Sequence, residues 1–307
     1  DYRAQRRGGK GLSGMQTKDE DVVTTLFVAN THTQLLFFTT DGMAYKLKTW
    51  RLPQGGRTAK GKAIVNILPI PTGVSIAAIM PVDVPEEEWN NLQIIFATSA
   101  GDVRRNALSD FTNVRSNGKI AMDLPEGIEL VNARIAGEDD DVMLFTNSGR
   151  AIRFSTTDVR VFKGRKSTGV RGIRLIGEER VVSMSIIRHF DATSDERSAY
   201  LKMRRAIAGM VDEEGSSDEE GVSENTTISQ ERYAEMSAAE NLILTITKGG
   251  SGKTSSSHDY PVRGRGGMGV AAMDKAMRGG EIVASFPVEM QDQIMLVTSK
   301  GQSIRVP

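Results

Sequence analysis

The sequence contains no cysteine, three histidines and only 6% aromatic residues. Without cysteine the chain can form neither a disulfide nor a thiolate metal site, and this composition fits a reducing cytoplasm. The three histidines lie far apart, without the close spacing of metal ligands, so we expect no bound metal. No apolar run reaches the roughly 18 residues of a membrane span, and the first residues are charged rather than signal-like, so we expect neither membrane insertion nor export.

The chain also lacks net charge, because 39 basic residues balance 39 acidic ones. The two signs are nevertheless separated along the sequence. Residues 191–240 hold 13 acidic and 5 basic residues, whereas the remaining chain holds 26 acidic and 34 basic ones. A basic body with an acidic segment still attracts polyanions, so the zero sum does not exclude a nucleic-acid partner.

An apolar run followed by the pattern Thr-x-x-Gly occurs five times. The repeated glycines are Gly42, Gly101, Gly149, Gly250 and Gly301, which lie 59, 48, 101 and 51 residues apart. Each pattern leads into a second short strand-like run, which predicts a β-hairpin whose glycine adopts the positive φ of the turn.

A second marker, a glycine-rich turn that leads into another strand, repeats with the same period. Its glycines are Gly8, Gly61, Gly118, Gly169 and Gly266, and the strands predicted after the last four lie at residues 64–67, 121–124, 172–175 and 269–273. Both series have a period near 50 and both stretch over the same interval, which indicates one insertion at about residues 191–240.

These features predict an all-β, propeller-like fold of five to six four-stranded blades, with residues 1–307 as a single domain. A β-sandwich is the alternative, but it does not explain why the period recurs. The sixth repeat is incomplete at the carboxyl-terminal end of the sequence. Within the insertion, helix-forming stretches at 196–210 and 230–242 flank an acidic linker at 212–224, which predicts a helical hairpin.

Basic residues recur at corresponding places in the repeats. A cation stands four positions after the hairpin glycine in four of the five repeats, and others flank the glycine-rich turns. The cations that we predict to form a basic rim are Lys46, Lys60, Lys62, Arg105, Lys119, Arg153, Lys163, Arg165, Lys166, Arg171, Arg265 and Arg305. Circular repetition makes such charges a continuous rim for DNA. The alternatives are ordinary charged turns, or a propeller scaffold that captures acidic proteins.

The densest cluster of such residues is a heptad near the beginning, formed by Gln5, Arg6, Arg7, Gly8, Gly9, Lys10 and Gly11. Glycines let a backbone approach a ligand closely while the cations supply charge, so the heptad suits a phosphate backbone. No catalytic site or cofactor site is indicated. Residues 249–254 imitate a phosphate loop, but Thr247 stands where that pattern needs glycine, and no carboxylates recur in the close pairing of acid–base catalysis.

The heptad is letter for letter the signature box of the DNA gyrase A family, in its C-terminal DNA-wrapping domain, and the hairpins and the GRGGMG turn at 264–269 extend the resemblance over the chain. The related domain of the topoisomerase IV counterpart lacks an intact box and is kept as an alternative. The resemblance implies a β-pinwheel, a propeller-like disc whose blades exchange strands, with the box at its seam. The acidic helical insertion departs from that family pattern.

The same resemblance implies a function. The domain is expected to bind double-stranded DNA without sequence specificity and to wrap it with right-handed sense, so that the whole ATP-hydrolysing type II topoisomerase introduces negative supercoils. The fragment itself is expected to be non-catalytic and free of cofactors, with ATP and Mg²⁺ bound elsewhere in the holoenzyme. The implied partners are the N-terminal part of gyrase A and the whole of gyrase B, in an A2B2 assembly located in the cytoplasm at the nucleoid.

Overall fold

The strand pairs of all five predicted hairpins are present in the computed structural model, which describes residues 27–55, 59–208, 227–273, 279–289, 292, 294–297 and 303–306. The heptad at 5–11 and the acidic linker at 212–224 lie outside the described residues. The described strands are β1 (Gln34–Thr39), β2 (Met43–Lys48), β3 (Ile76–Val82), β4 (Gln93–Thr98), β5 (Asp102–Ala107), β6 (Lys119–Ile120), β7 (Leu130–Ile135), β8 (Asp140–Thr146), β9 (Arg150–Ser155), β10 (Val161–Phe162), β11 (Val170–Arg171), β12 (Val181–Arg188), β13 (Leu242–Thr247), β14 (Gly252–Ser256), β15 (Val270–Ala271), β16 (Ile282–Val288), β17 (Ile294–Val297) and β18 (Ser303–Val306).

The strands form successive small sheets, which we number as blades. The strand orders are β3-β1-β2-β6 in blade 1, β10-β5-β4-β7 with β11 also on β5 in blade 2, β12-β8-β9-β15 in blade 3, β14-β13-β16 in blade 4 and β17-β18 in blade 5. Every central hairpin is antiparallel, as its tight turn requires.

Neighbouring repeats exchange strands. The glycine-rich turn of the second repeat sends β6 back to blade 1, that of the third sends β11 to blade 2, and that of the fourth sends β15 to blade 3. At the opposite edge of the sheets, β3, β7, β12 and β16 contact one another in succession. The glycine-rich turns therefore lie at the edge of each blade away from that central row, which we call the outer edge. This is the pinwheel arrangement, and the all-β fold expectation is confirmed.

In blades 1 to 3 the hairpin glycine accepts backbone hydrogen bonds from the turn that arrives from the following repeat. Gly42 has a φ of 86°, and a Cβ atom built on it would lie 2.2 Å from the carbonyl oxygen of Met122. The Gly42 carbonyl in turn accepts hydrogen bonds from the backbone N–H groups of Ala121 and Met122, at 2.8 and 3.0 Å. Glycine is needed here both for the positive φ and for the close approach of two backbones.

Two of the strands predicted after the glycine-rich turns are shorter than expected and lie earlier in the chain. The strand expected at 121–124 is Lys119–Ile120, and the one expected at 172–175 is Val170–Arg171. The ladder ends early because the next two N–H groups converge on the hairpin glycine carbonyl instead of pairing with a strand. The strand expected at 64–67 is wrong, since Ile64–Asn66 forms a 3-10 helix.

The hydrophobic core is distributed along the seams between blades. Phe38 of blade 1 and Phe96 of blade 2 meet edge to face with their ring centroids 5.3 Å apart, and Phe111 lies 5.4 Å from Phe38. All three side chains are fully buried. Such aromatic contacts hold consecutive blades together in addition to the exchanged strands.

The predicted helical hairpin is present between β12 and β13. Its helices are α1 (Ser194–Ile207) and α2 (Gln230–Ala239). Thr193 and Glu196 form a capping box that starts α1 two residues earlier than predicted, and α2 ends before β13 begins. The hairpin packs onto blade 4, where His258 is buried and its Nε2 lies 2.8 Å from the carbonyl oxygen of Met236. Of the helices in the described ranges, none has the length and apolarity to span a membrane.

Candidate nucleic-acid interface

Three glycine-rich turns lie side by side along the outer edge. We name them turn A (residues 115–123), turn B (163–174) and turn C (263–273). Turns A and B are joined by the N–H of Asp123, which donates to the Lys166 carbonyl at 2.9 Å. Turns B and C are joined by Gly266 N–H to Gly172 O at 2.7 Å and by Arg174 N–H to Gly267 O at 2.8 Å. Backbone contacts thus fix the spacing of one turn to the next.

The three turns form a basic row. Turns B and C carry seven cations and no carboxylate, namely Lys163, Arg165, Lys166, Arg171, Arg174, Arg263 and Arg265. All are exposed except Arg165, which is partly buried because its guanidinium donates to the Ile120 carbonyl of turn A. Arg265 donates to the carbonyls of Asp158 and Arg171, which holds it at the junction of turns B and C. The row offers charge to several phosphates at once.

A basic cleft opens between turn A and blade 1. Its volume is about 660 Å³, and it is lined by Lys46, Thr112, Asn113, Val114, Arg115, Gly118, Lys119 and Arg165. Burial lowers the pKa of Lys119, and the nearby charges of Arg165 and Lys46 lower it further, against the opposing effect of Asp110. The cations therefore repel one another across the cleft, which is the electrostatic condition for binding an anion.

Lys46 both joins two blades and lines the cleft. Its Nζ lies 2.8 Å from Oε1 of Glu86, and it also donates to the Thr112 carbonyl of the next blade. The side chain keeps 16% of its surface exposed and faces the cleft. It ties blade 1 to blade 2 while contributing to the basic lining.

Two predicted rim cations are not on an exposed rim. Arg153 is 4% exposed, its Nε lies 2.8 Å from the fully buried carboxylate of Asp141, and its Nη1 donates to the Ser257 carbonyl at 2.9 Å. Arg105 is 6% exposed, and β10 pairs with β5 at this residue, where Val161 stands opposite Arg105. Their places in the repeat are as predicted, but segments of the following repeat pair beside them and both are buried, so neither is available on an exposed rim.

The remaining predicted cations keep accessible positions, apart from those outside the description. Lys60 and Lys62 are exposed on the segment that follows blade 1, and Lys119 is half-buried at the cleft. The backbone of Arg305 is described within β18, but its side chain is not, and the heptad from Gln5 to Gly11 is outside the described residues. DNA contact by any of these residues stays a prediction.

The sequence reasoning missed Arg104, the fully buried neighbour of Arg105. Its guanidinium donates to the carbonyls of Ala121 in turn A and of Arg165 and Ser167 in turn B, and its Nε lies 2.7 Å from Oδ1 of Asn106. Burial lowers the pKa of Arg104 to about 10, so it remains charged at neutral pH. One side chain therefore clamps two basic turns from beneath. Its sequence signal was weak, because Arg104 stands one position before the repeated cation and so falls outside the recurring pattern.

Comparison with known protein families identifies one whose model matches most of the chain. The family model described as "DNA gyrase C-terminal domain, beta-propeller" matches residues 1–30, 33–83, 93–136, 140–188, 241–289 and 292–307. The chain belongs to this family. The unmatched stretch 189–240 coincides with the helical insertion, and the resemblance inferred from the heptad is confirmed.

Relatives of this gyrase-family domain share its sequence over nearly the whole chain. It is 45% identical to the DNA gyrase A protein of Granulibacter bethesdensis over 318 residues, covering 100% of this chain and 34% of the relative. It is 43% identical to the DNA gyrase A protein of Rickettsia bellii over 306 residues, covering 99% of this chain and 33% of the relative. The chain thus spans about a third of the length of these relatives.

Solved structures support the fold. The chain is similar to a DNA gyrase A C-terminal domain with a TM-score of 0.69 and 20% identity, covering 99% of this chain and 82% of the other. It is similar to a C-terminal domain of DNA topoisomerase IV with a TM-score of 0.63 and 21% identity, covering 91% of this chain and 70% of the other. Both share the architecture, so the fold by itself does not separate the two enzymes.

Proposed function

We propose that this domain binds double-stranded DNA without sequence preference and wraps it with right-handed sense around its outer edge. The observation that carries the proposal is the row formed by turns B and C, where seven cations and no carboxylate lie on turns joined by backbone hydrogen bonds. Membership of the DNA gyrase C-terminal domain family supports the same conclusion.

The energetics require several blades. Each phosphate neutralised by a lysine or arginine releases counterions and contributes about −0.9 to the slope of log K against log salt. Bending DNA around a small disc costs on the order of 1–6 kcal/mol for each 20–30 base pairs. A single basic turn does not offset this cost, whereas adjacent turns held at a fixed spacing add their contacts along the bend.

In the whole enzyme, the wrapped segment would be presented to the strand-passage machinery. We infer that the chain is the C-terminal part of gyrase A, working with its N-terminal part and with gyrase B in an A2B2 type II topoisomerase of the cytoplasm and nucleoid. ATP and Mg²⁺ would bind in those other parts, and the domain would contribute DNA geometry rather than catalysis. The names of the relatives support this assignment.

The direct test is the topology of a nicked circular DNA ligated with and without the domain. Wrapping is expected to leave a shift in linking number of one sign that grows with the amount of bound domain. The double variant Lys163→Ala/Lys166→Ala should give a smaller shift. The matched control is Lys202→Ala/Arg205→Ala, which removes two exposed cations from α1 of the insertion and should leave the shift unchanged.

DNA binding without any shift would contradict wrapping. No salt-dependent DNA binding at all would favour the protein-binding scaffold instead. The heptad is tested in the holoenzyme, where replacing Arg6, Arg7 and Lys10 by Ala should abolish supercoiling while relaxation continues. Supercoiling retained by that triple variant would refute the role proposed for the heptad.

A further inference from the structure

Trp50 is a large apolar side chain left open to solvent. It lies in the 3-10 turn Thr49–Arg51, directly after β2, and is 56% exposed. The other tryptophan, Trp89, is fully buried, and its indole N–H donates to the Val84 carbonyl at 2.9 Å. Trp89 shows how this chain packs a structural tryptophan, whereas Trp50 lacks such packing and is available for an external contact.

The corresponding turns of blades 2 and 4 bury their large side chains, and that of blade 3 carries no large apolar residue. In blade 2, the turn Leu108–Phe111 buries both of its large apolar side chains completely. In blade 4, the turn Ser257–Asp259 carries His258, which is 2% exposed and packs against Tyr200 of α1 with ring centroids 4.9 Å apart. The blade 1 turn presents its aromatic ring to solvent at the place where blade 4 is capped by a helical hairpin.

The surroundings of Trp50 are cationic. A shallow groove of about 280 Å³ is lined by Gln34, Lys46, Leu47, Lys48, Trp50 and Arg51, with no carboxylate in its lining. The guanidinium carbon of Arg51 lies 5.2 Å from the centroid of the indole ring, which restrains the ring. Glu86 contacts two of the lining residues from outside the groove, where it pairs with Lys46 and accepts a hydrogen bond from Gln34. The occupant that suits this charge is anionic.

The groove adjoins the basic cleft, because Lys46 contributes to the lining of both. A duplex that passes over the cleft between turn A and blade 1 therefore reaches the tryptophan next. We propose that Trp50 packs its ring against the bases of DNA at a step opened by bending, while Lys48 and Arg51 contact the flanking phosphates. This inference rests on the proposed function and adds an apolar contact to it. Apolar side chains that enter a base step stabilise a bend in addition to the phosphate contacts.

The two tryptophans give the test an internal reference. Fluorescence of the domain is followed while duplex DNA is added, for the wild type and for Trp50→Phe, in which Trp89 alone emits. DNA is expected to quench the wild-type emission and to leave the Trp50→Phe emission unchanged. Trp50→Ala should weaken DNA binding about fivefold or more, whereas Trp50→Phe should retain most of the affinity because it keeps an aromatic ring.

The matched control is Ile207→Ala, which removes an exposed apolar side chain, 71% exposed, from α1. Its DNA affinity should equal that of the wild type. If the domain binds DNA but shows no quenching, or if Trp50→Ala binds as tightly as Ile207→Ala, the inference is overturned and the proposed function stands. Quenching by the N-terminal part of gyrase A but not by DNA would also overturn it, in favour of a protein-docking site. Loss of DNA binding in every protein, wild type included, would overturn the proposed function itself.

Discussion

The seam between blades 1 and 2 and the seam between blades 3 and 4 use the same place in the repeat for opposite purposes. Lys46 and Arg153 each stand four residues after a hairpin glycine. Lys46 pairs with a carboxylate that is 30% exposed and faces an open cleft, whereas Arg153 pairs with a carboxylate that is fully buried. The repeat places the cation, and the segment donated by the following repeat decides whether it is available to DNA.

The largest effect is expected from breaking the buried seam. Arg153→Met should lower the free energy of unfolding by about 3–5 kcal/mol, because the buried Asp141 loses its arginine partner and, among the described residues, keeps an ion pair only with His189 when that ring is protonated. Lys46→Met should cost less than about 1 kcal/mol, as for other partly exposed pairs. Urea unfolding of both variants measures the difference. Equal losses would show that the two seams are not distinct.

The next effect concerns the clamp beneath turns A and B. Arg104→Met removes the donor to three carbonyl oxygens, of which that of Ala121 is buried and those of Arg165 and Ser167 are partly buried. Loss of the buried partner costs about 1–3 kcal/mol. The folded variant should also bind DNA more weakly and with a shallower salt dependence, although Arg104 is fully buried, because turns A and B are then held together by fewer contacts. Binding titrations over a range of salt, on variants shown to be folded, test this. Unchanged affinity would limit Arg104 to stability.

A smaller effect separates exposed from buried cations. Lys166→Ala should reduce the magnitude of the salt slope by about 0.9, the value for one phosphate. Arg105→Met should leave the slope unchanged, and it should be neutral or stabilising, because Nε and Nη1 of Arg105 are buried and find no hydrogen-bond partner in the part of the chain that the structure describes. The measurement is log K against log salt for each variant beside the wild type. A reduced slope for Arg105→Met would return this residue to the DNA path.

The smallest expected effect is a pH dependence of the free energy of unfolding that arises at the buried seam between blades 3 and 4. Burial lowers the pKa of His189, but hydrogen bonds to Asp141 and Asp191 outweigh it and raise the pKa above its usual value. A raised pKa stabilises the fold fully below about pH 6.5, and this contribution is lost as the pH rises through the folded-state value. His189→Gln should therefore destabilise the domain more at pH 6 than at pH 9. His32→Gln, at an exposed site in blade 1, is the control and should show no such trend.

The local elements of the fold were predictable because their signals are local. A Thr-x-x-Gly turn specifies its own hairpin, and Gly42, Gly101, Gly149 and Gly250 all have the positive φ that the pattern requires. The insertion was predictable because two independent series stretched over one interval. The strand exchange was predicted from the family resemblance and not from the residues themselves. Nothing in a two-residue strand such as Lys119–Ile120 indicates which sheet it joins.

The candidate interface was predictable in composition but not in exposure. The cations of turn B are dense in sequence, and the structure keeps Lys163, Lys166 and Arg171 exposed. Burial of Arg105 and Arg153 depends on segments about 55 and 110 residues further along the chain, which no local pattern connects to them. Trp50 was missed for the converse reason, because a tryptophan after a strand usually packs inward.

Exchange of strands also constrains how such a protein can change its size. Each repeat completes the edge of the sheet before it, so deletion of one internal repeat would remove a strand from its predecessor as well as its own hairpin. Repeats can be gained or lost only as whole units that both donate and receive a strand. Additional chain is tolerated where no strand is donated, and the helical insertion between β12 and β13 occupies such a position.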